Sequence, residues 1–257
     1  MVVIFGATGR TGRHLVEALG ARGQTALAVL RPDAERPAAW VSPTLRMVRA
    51  HLTRSADVDR CLEYATSVVY LAGSRPSLTV SSEALVEDYA CFMNCVDAAK
   101  TSGFAGSFVY VGVDTRPPRG WAERITERTR ARWTGYKLAC ERSLQRTRLH
   151  YLVLRARALS DASAGATRIR FDAKPGSAEV TEPLPRIALG ALIAGAILQG
   201  HTPRASTAVV SSRIGYTVKQ AVTMLRELAP DDSEAATLDE FEDRALAPPR
   251  STRTMDS

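Results

Sequence analysis

Cysteine is scarce in this chain and scattered along it. The 257 residues include four, Cys61, Cys91, Cys95 and Cys140, with no C-x-x-C pair and no histidine at ligand spacing. That argues against a zinc site and against a disulfide scaffold. Cys91 and Cys95 fall one helical turn apart, which reads as two packed thiols rather than half a metal site, and a reducing, cytoplasmic setting fits them. Long apolar runs are also missing. The longest, Ile187 to Leu198, is about 12 residues, too short to cross a bilayer, so no membrane association is expected. It reads as a buried helix whose small residues, Ala188, Gly190, Ala191, Ala194 and Gly195, permit close packing. The opening residues already read as a strand with no charged leader, which predicts no secretory signal.

The net charge of +7 comes almost wholly from arginine and is unevenly placed. Arg116, Arg119, Arg124, Arg128, Arg130 and Arg132 crowd one segment, with Glu123 and Glu127 between them. Such a run is either a solvated helix face or an address for an anionic substrate or phosphate. No recognised nucleic-acid module surrounds it, so nucleic acid is not an expected partner. With 45% apolar residues, the chain can bury the core of one larger α/β domain. Residues 1–230 are expected to form it, with substrate-covering elements from about 157, and 231–257 to form a flexible polar tail.

What is present sets the fold. Val2 to Phe5 read as a buried parallel strand running directly into Gly6, Gly9 and Gly12, and the next stretch carries helical periodicity up to Gly20. Further strands are predicted at Thr25–Leu30, Leu45–Arg49, Ser67–Ala72, Ser107–Val113, His150–Ala156, Thr167–Phe171 and Ser206–Ser211. Helices are predicted at Ser55–Tyr64, Ser82–Ser102, Arg132–Thr147, from about Pro185, and at Thr217–Leu228. Strands separated by helices imply right-handed crossovers and a doubly wound parallel sheet. A glycine turn between the first strand and its helix aims free N–H groups at a pyrophosphate. Gly6, Thr8, Gly9, Arg10, Thr11 and Gly12 are therefore candidate dinucleotide ligands, joined by Ala72 and Gly73 where the fourth strand ends.

In this order the residues resemble the atypical short-chain dehydrogenases of the NmrA-like and NAD(P)H-binding type. The likeness runs from residue 1 to roughly 215 and rests on GATGRTG at 6–12, LRP at 30–32, NCVDAAK at 94–100 and KLACE at 137–141. It implies an extended-type Rossmann fold with a small C-terminal substrate lobe, and a nicotinamide cofactor. An NAD site usually presents a carboxylate at the end of the second strand; here Leu30 and Arg31 stand there, which favours the 2′-phosphate of NADP. Arg10 is expected to grip the same phosphate from the other side. The family often places Asp-Leu beside adenine after the third strand, and this chain has His51 and Leu52, which keeps the packing surface without the carboxylate.

The resemblance also implies a serine after the fifth strand and a Tyr-x-x-x-Lys pair. Aligning Lys137 with that lysine puts Trp133 at the tyrosine, and the fifth strand ends in Val111, Gly112, Val113 and Asp114. An indole cannot serve as general acid, and losing such a group costs about a hundredfold to ten-thousandfold in rate. Three residues are candidates for the remaining chemistry: Asp114 as a proton relay, Tyr136 beside the lysine, and Lys137, which would hold the cofactor ribose.

Two classes of function follow. One is an NADPH-dependent reductase of a quinone, flavin or conjugated aromatic small molecule, whose reduced form needs little acid help, with Tyr89, Phe92, Trp121 and Trp133 as flat walls. The alternative is a non-catalytic NADP-binding redox sensor of the NmrA-like type acting through a protein partner. A pathway tailoring enzyme, an isomerase or cyclase taking an acidic substrate, is a third reading.

Overall fold

Short runs of branched apolar residues make the strands, and the periodic segments between them make the helices. The computed structural model describes residues 1–74, 80–115, 121–156, 158–163, 165, 167–172, 183–200, 202, 205–212, 215–228 and 230–231, with the backbone alone over 121–129 and at 172. In chain order the elements are β1 (Val2–Phe5), α1 (Arg10–Gly20), β2 (Ala26–Leu30), β3 (Leu45–Arg49), α2 (Ser55–Leu62), β4 (Ser67–Tyr70), α3 (Ser82–Thr101) and β5 (Ser107–Val113). There follow α4 (Trp121–Gln145), β6 (His150–Ala156), β7 (Leu159–Ser160), β8 (Ile169–Asp172), β9 (Leu184–Pro185), α5 (Arg186–Leu198), β10 (Ser206–Ser212) and α6 (Val218–Met224).

Eight strands form one sheet in the order β3-β2-β1-β4-β5-β6-β10-β8. All neighbours run parallel except β8, which pairs antiparallel with β10. The strand order turns back between β1 and β4, and ligands of such sheets bind in the crevice at the carboxyl ends of the strands there. The sheet is therefore the doubly wound Rossmann type expected.

Alternation along each strand sends small and large side chains to opposite faces. Val2, Ile4, Ala26, Ala28, Val69, Val109 and Leu152 pack under α1, α5 and α6. Phe5, Tyr70, Phe108, Tyr110 and Tyr151 face α2, α3 and α4. On that second face Phe92 of α3 lies among Tyr70, Phe108 and Tyr110, with ring centroids 5.0–6.1 Å apart. On the first face the small residues of α5 do bring two helices close: a β-carbon on Gly190 would lie 2.9 Å from the Leu15 backbone nitrogen.

One expectation needs correction. The helix expected from Arg132 begins at Trp121; residues 121–131 are mostly charged or polar and lack the apolar stripe by which helices are recognised. Asp231, from about which a polar tail is expected, is itself tied to α4, β6 and β10. That carboxylate accepts from Tyr151 Oη at 2.8 Å, Thr207 Oγ1 at 2.7 Å, Gln145 Nε2 at 3.2 Å and the Thr207 backbone N–H at 2.9 Å. The rest of the tail, 232–257, lies outside the described residues. Of the elements after 157 expected to cover substrate, β10 and β8 join the sheet and α5 packs on α1, while 173–182 lies outside the described residues.

The cysteines sit on α2, α3 and α4, with Cys61, Cys95 and Cys140 buried and Cys91 half-buried. Among the described residues no helix is long and apolar enough to cross a membrane.

Candidate dinucleotide and catalytic site

The glycine turn is built so that backbone touches backbone. Gly6 has φ +82°, a conformation that side chains disfavour, and a β-carbon there would lie 2.5 Å from the Ala72 backbone nitrogen. One on Gly12 would lie 2.3 Å from the Gly6 carbonyl oxygen. The turn is closed by Gly9 N–H donating to Gly6 O at 3.0 Å. Helix α1 then starts with no side-chain cap and no acidic residue in its first turn. Its leading amides and positive dipole end are thus presented to an anion at the carboxyl end of β1. A pyrophosphate fits this cradle, with Thr8 and Thr11 half-buried along it.

Around the cradle the candidate ligands separate into groups. Arg31 follows β2, is 78% exposed and lies 3.6 Å from the Asp33 carboxylate. Arg49 ends β3 in register with Leu30 and donates to the Pro32 carbonyl, so a second cation stands beside the same strand end. Arg10 is not turned to share a phosphate with Arg31. Its guanidinium pairs with Asp161, which also accepts from Arg186 Nη1 at 2.8 Å. The Arg10 hydrogen bond, with Arg186 beside it, holds the Asp161 carboxyl below its ordinary range. His51 is exposed, its backbone N–H donating to Asp57 Oδ2 at 2.9 Å, while the Leu52 carbonyl accepts from Asn94 Nδ2 at 2.8 Å.

Where β4 ends, the chain passes Ala72 and Gly73, the latter at φ +125°. Tyr136 Oη would lie 2.7 Å from a β-carbon on Gly73, so the phenol leans directly on this loop. The backbone of the next residue, Ser74, is held from both sides. Asp88 Oδ2 accepts from the Ser74 N–H at 2.6 Å, and Trp133 Nε1 donates to the Ser74 carbonyl at 2.9 Å.

Lys137 lies one turn further along α4 and is 9% exposed. Its ammonium sits 4.7 Å from the centre of the Tyr110 ring, 5.8 Å from that of Tyr136 and 6.0 Å from that of Trp133. Such faces attract a cation, yet burial still pulls the Lys137 pKa below its ordinary value. One further turn on, Glu141 pairs with Arg155 of β6.

Tyr136 is 2% exposed, and its hydroxyl has no hydrogen-bond partner among the described residues. Burial raises its pKa well above that of an ordinary phenol, which moves it away from proton donation at neutral pH. It packs the core and braces the β4 loop. Burial likewise pushes the neighbouring Cys140 thiol up to about 12. Asp114 closes β5 at 6% exposure, its backbone N–H donating to Ala156 O at 3.5 Å.

The expected aromatic walls fare differently. Phe92 is wholly buried in the core and faces no ligand, and Tyr89 pairs through its hydroxyl with Ser143 at 2.8 Å. The Trp121 side chain lies outside the described residues, as do those of Arg116, Arg119, Arg124 and Arg128; Arg130 and Arg132 are exposed. Sequence reasoning missed Ser74, Asp88, Asn94, Asp161 and Arg186. Only Asn94, inside the quoted NCVDAAK, stood in a segment that had been singled out.

Residues 6–199 match the family described as NAD(P)H-binding. No curated protein matches the chain. Among solved structures, a protein of Bacillus halodurans described as an NAD-dependent epimerase/dehydratase is 21% identical, covering 87% of this chain and 98% of its own, with a TM-score of 0.72. A short-chain dehydrogenase/reductase of Veillonella parvula in complex with NADP is 13% identical over 85% of this chain and 97% of its own, with a TM-score of 0.64. An anaerobilin reductase of Escherichia coli is 17% identical over 82% of this chain and 96% of its own, with a TM-score of 0.62. At these identities the likenesses establish the shared fold. With its glycine cradle, its parallel sheet and the match over residues 6–199, the chain belongs to the NAD(P)H-binding family.

Proposed function

We propose that the protein is an NADPH-dependent reductase of a quinone, flavin or conjugated aromatic small molecule, working without a phenolic acid. The observation that carries this reading is the fate of the two candidate donors on α4. Trp133 holds the Ser74 carbonyl with its only N–H, and Tyr136 is buried with its pKa raised. When bound, the nicotinamide supplies a hydride. The α1 amides hold the pyrophosphate, Arg31 takes the 2′-phosphate with Arg49 beside it, and Lys137 donates to ribose hydroxyls. Leu52 gives the adenine an apolar neighbour, fixed by Asn94.

A ketone reduced here would form a strongly basic alkoxide with no phenol at hand to protonate it. A quinone or flavin instead yields a delocalised anion, and the single proton it needs later comes from solvent by way of the Asp114 carboxylate. Purified protein, NADPH and a panel of quinones, flavins and aromatic N-oxides test this by loss of nicotinamide absorbance. Turnover with at least one acceptor, slowed in Asp114→Asn, is expected. Tight NADPH binding with no consumption above buffer for any acceptor would instead favour a non-catalytic redox sensor, a reading that the same absence of an acid supports.

A further inference from the structure

We propose that Trp133 is a positioning residue: with Asp88 it clamps the backbone of Ser74 and so fixes the loop after β4 against which the dinucleotide lies. The inference rests on the cofactor reading above and assigns a task to the side chain that occupies the phenol's place.

Three observations meet at this loop. Gly6 and Ala72 are in backbone contact, so a nucleotide laid over the glycine turn lies beside Ala72, Gly73 and Ser74. Gly73 takes φ +125°, open to glycine without strain, and the Tyr136 hydroxyl lies against it, leaving no room for a side chain. The Ser74 backbone is gripped at both polar groups, the N–H by the Asp88 carboxylate at 2.6 Å and the carbonyl by the Trp133 indole at 2.9 Å. Asp88 comes from α3 and Trp133 from α4, so the clamp ties the loop to both helices that flank it.

The arrangement has a chemical logic. A phenol in this place would be free to give up its proton to substrate. The indole N–H does not ionise in the working range and is the side chain's one donor, so while it serves the Ser74 carbonyl it has no proton for substrate. Its ring meanwhile stays beside the Lys137 ammonium, 6.0 Å from centroid to nitrogen. The site has exchanged a proton donor for a fixed wall.

Calorimetric titration with NADPH tests the proposal on the full chain. Trp133→Phe keeps a ring and removes the donor; Asp88→Ala removes the acceptor; Asp88→Asn keeps an acceptor oxygen. We expect Trp133→Phe and Asp88→Ala each to weaken NADPH binding by about tenfold, the size of one lost hydrogen bond to a held group. The double variant should lose much less than the product of the two, because both act on the backbone of one residue. Asp88→Asn should stay within about twofold of wild type. With an acceptor that turns over, the loss should appear in KM for NADPH more than in kcat.

Unchanged NADPH affinity in Trp133→Phe would overturn the proposal, as would full additivity in the double variant. Should Trp133→Phe melt early, Asp88→Ala and Asp88→Asn give the same comparison from the other side of Ser74. A wild-type chain that binds neither nucleotide would remove the cofactor reading and this proposal with it. Wild-type binding with indifferent variants would overturn the clamp alone.

Discussion

Glu141 and Arg155 form an ion pair behind the candidate site, with Arg155 Nε donating to both carboxylate oxygens at 2.8 and 3.0 Å and the two side chains 2% and 17% exposed. The pair joins α4, which carries Trp133, Tyr136 and Lys137, to β6. Removing one partner strands the other charge in a low-dielectric setting. Glu141→Ala should therefore lower unfolding free energy in urea by about 3–5 kcal/mol. Replacing both residues with well-packed apolar ones should cost much less, and a single-variant loss below about 1 kcal/mol would show that the pair does not anchor α4.

Lys137 gives a pH dependence with a definite sign. Burial lowers its folded pKa below the ordinary 10.5, so between the two values the unfolded chain binds more protons than the folded one. Its contribution to stability therefore rises with pH through that window and levels off above 10.5. Lys137→Met should be at least as stable as wild type near neutral pH and should lack the rise. Denaturation midpoints measured in steps from neutral to alkaline pH check this; parallel curves would contradict it.

Arg31 should discriminate between the two nucleotides. Its exposed guanidinium can meet a 2′-phosphate, whereas the corresponding hydroxyl of NADH offers it little. Arg31→Asp should weaken NADPH binding by roughly tenfold to a hundredfold and NADH binding only slightly. An equal effect on both would overturn the assignment.

Asp231 closes the fold through four accepted hydrogen bonds from Gln145, Tyr151 and Thr207. Asp231→Ala leaves the Tyr151 hydroxyl and the Thr207 N–H without this acceptor, while Gln145 keeps Thr207 Oγ1, and should cost about 1–3 kcal/mol in thermal or urea unfolding. No measurable loss would contradict a stabilising role for the Asp231 carboxylate.

The parallel sheet was legible because its rules are local. β3, β5 and β6 begin and end where apolar runs meet turn residues, and the glycine spacing at 6–12 marked the cradle directly. The start of α4 was not legible, since polar helix formers carry no apolar stripe. Nor was the fate of the polar side chains. Asp231 looked like the first residue of a polar tail, and nothing in its neighbours revealed the three partners that meet it from α4, β6 and β10. Trp133 could be placed at the missing phenol's position from the family resemblance, once Lys137 was aligned with the family's lysine. Its bond to Ser74, 59 residues away in sequence, belongs to tertiary structure.

The account stands most directly on the cradle at residues 6–12. Calorimetric titration of the purified chain with NADPH and with NADH should give saturable binding near one nucleotide per chain, tighter for NADPH. Gly12→Ala, whose β-carbon would lie 2.3 Å from the Gly6 carbonyl oxygen, should abolish that binding. No heat with either nucleotide, or undiminished binding in Gly12→Ala, would contradict the account.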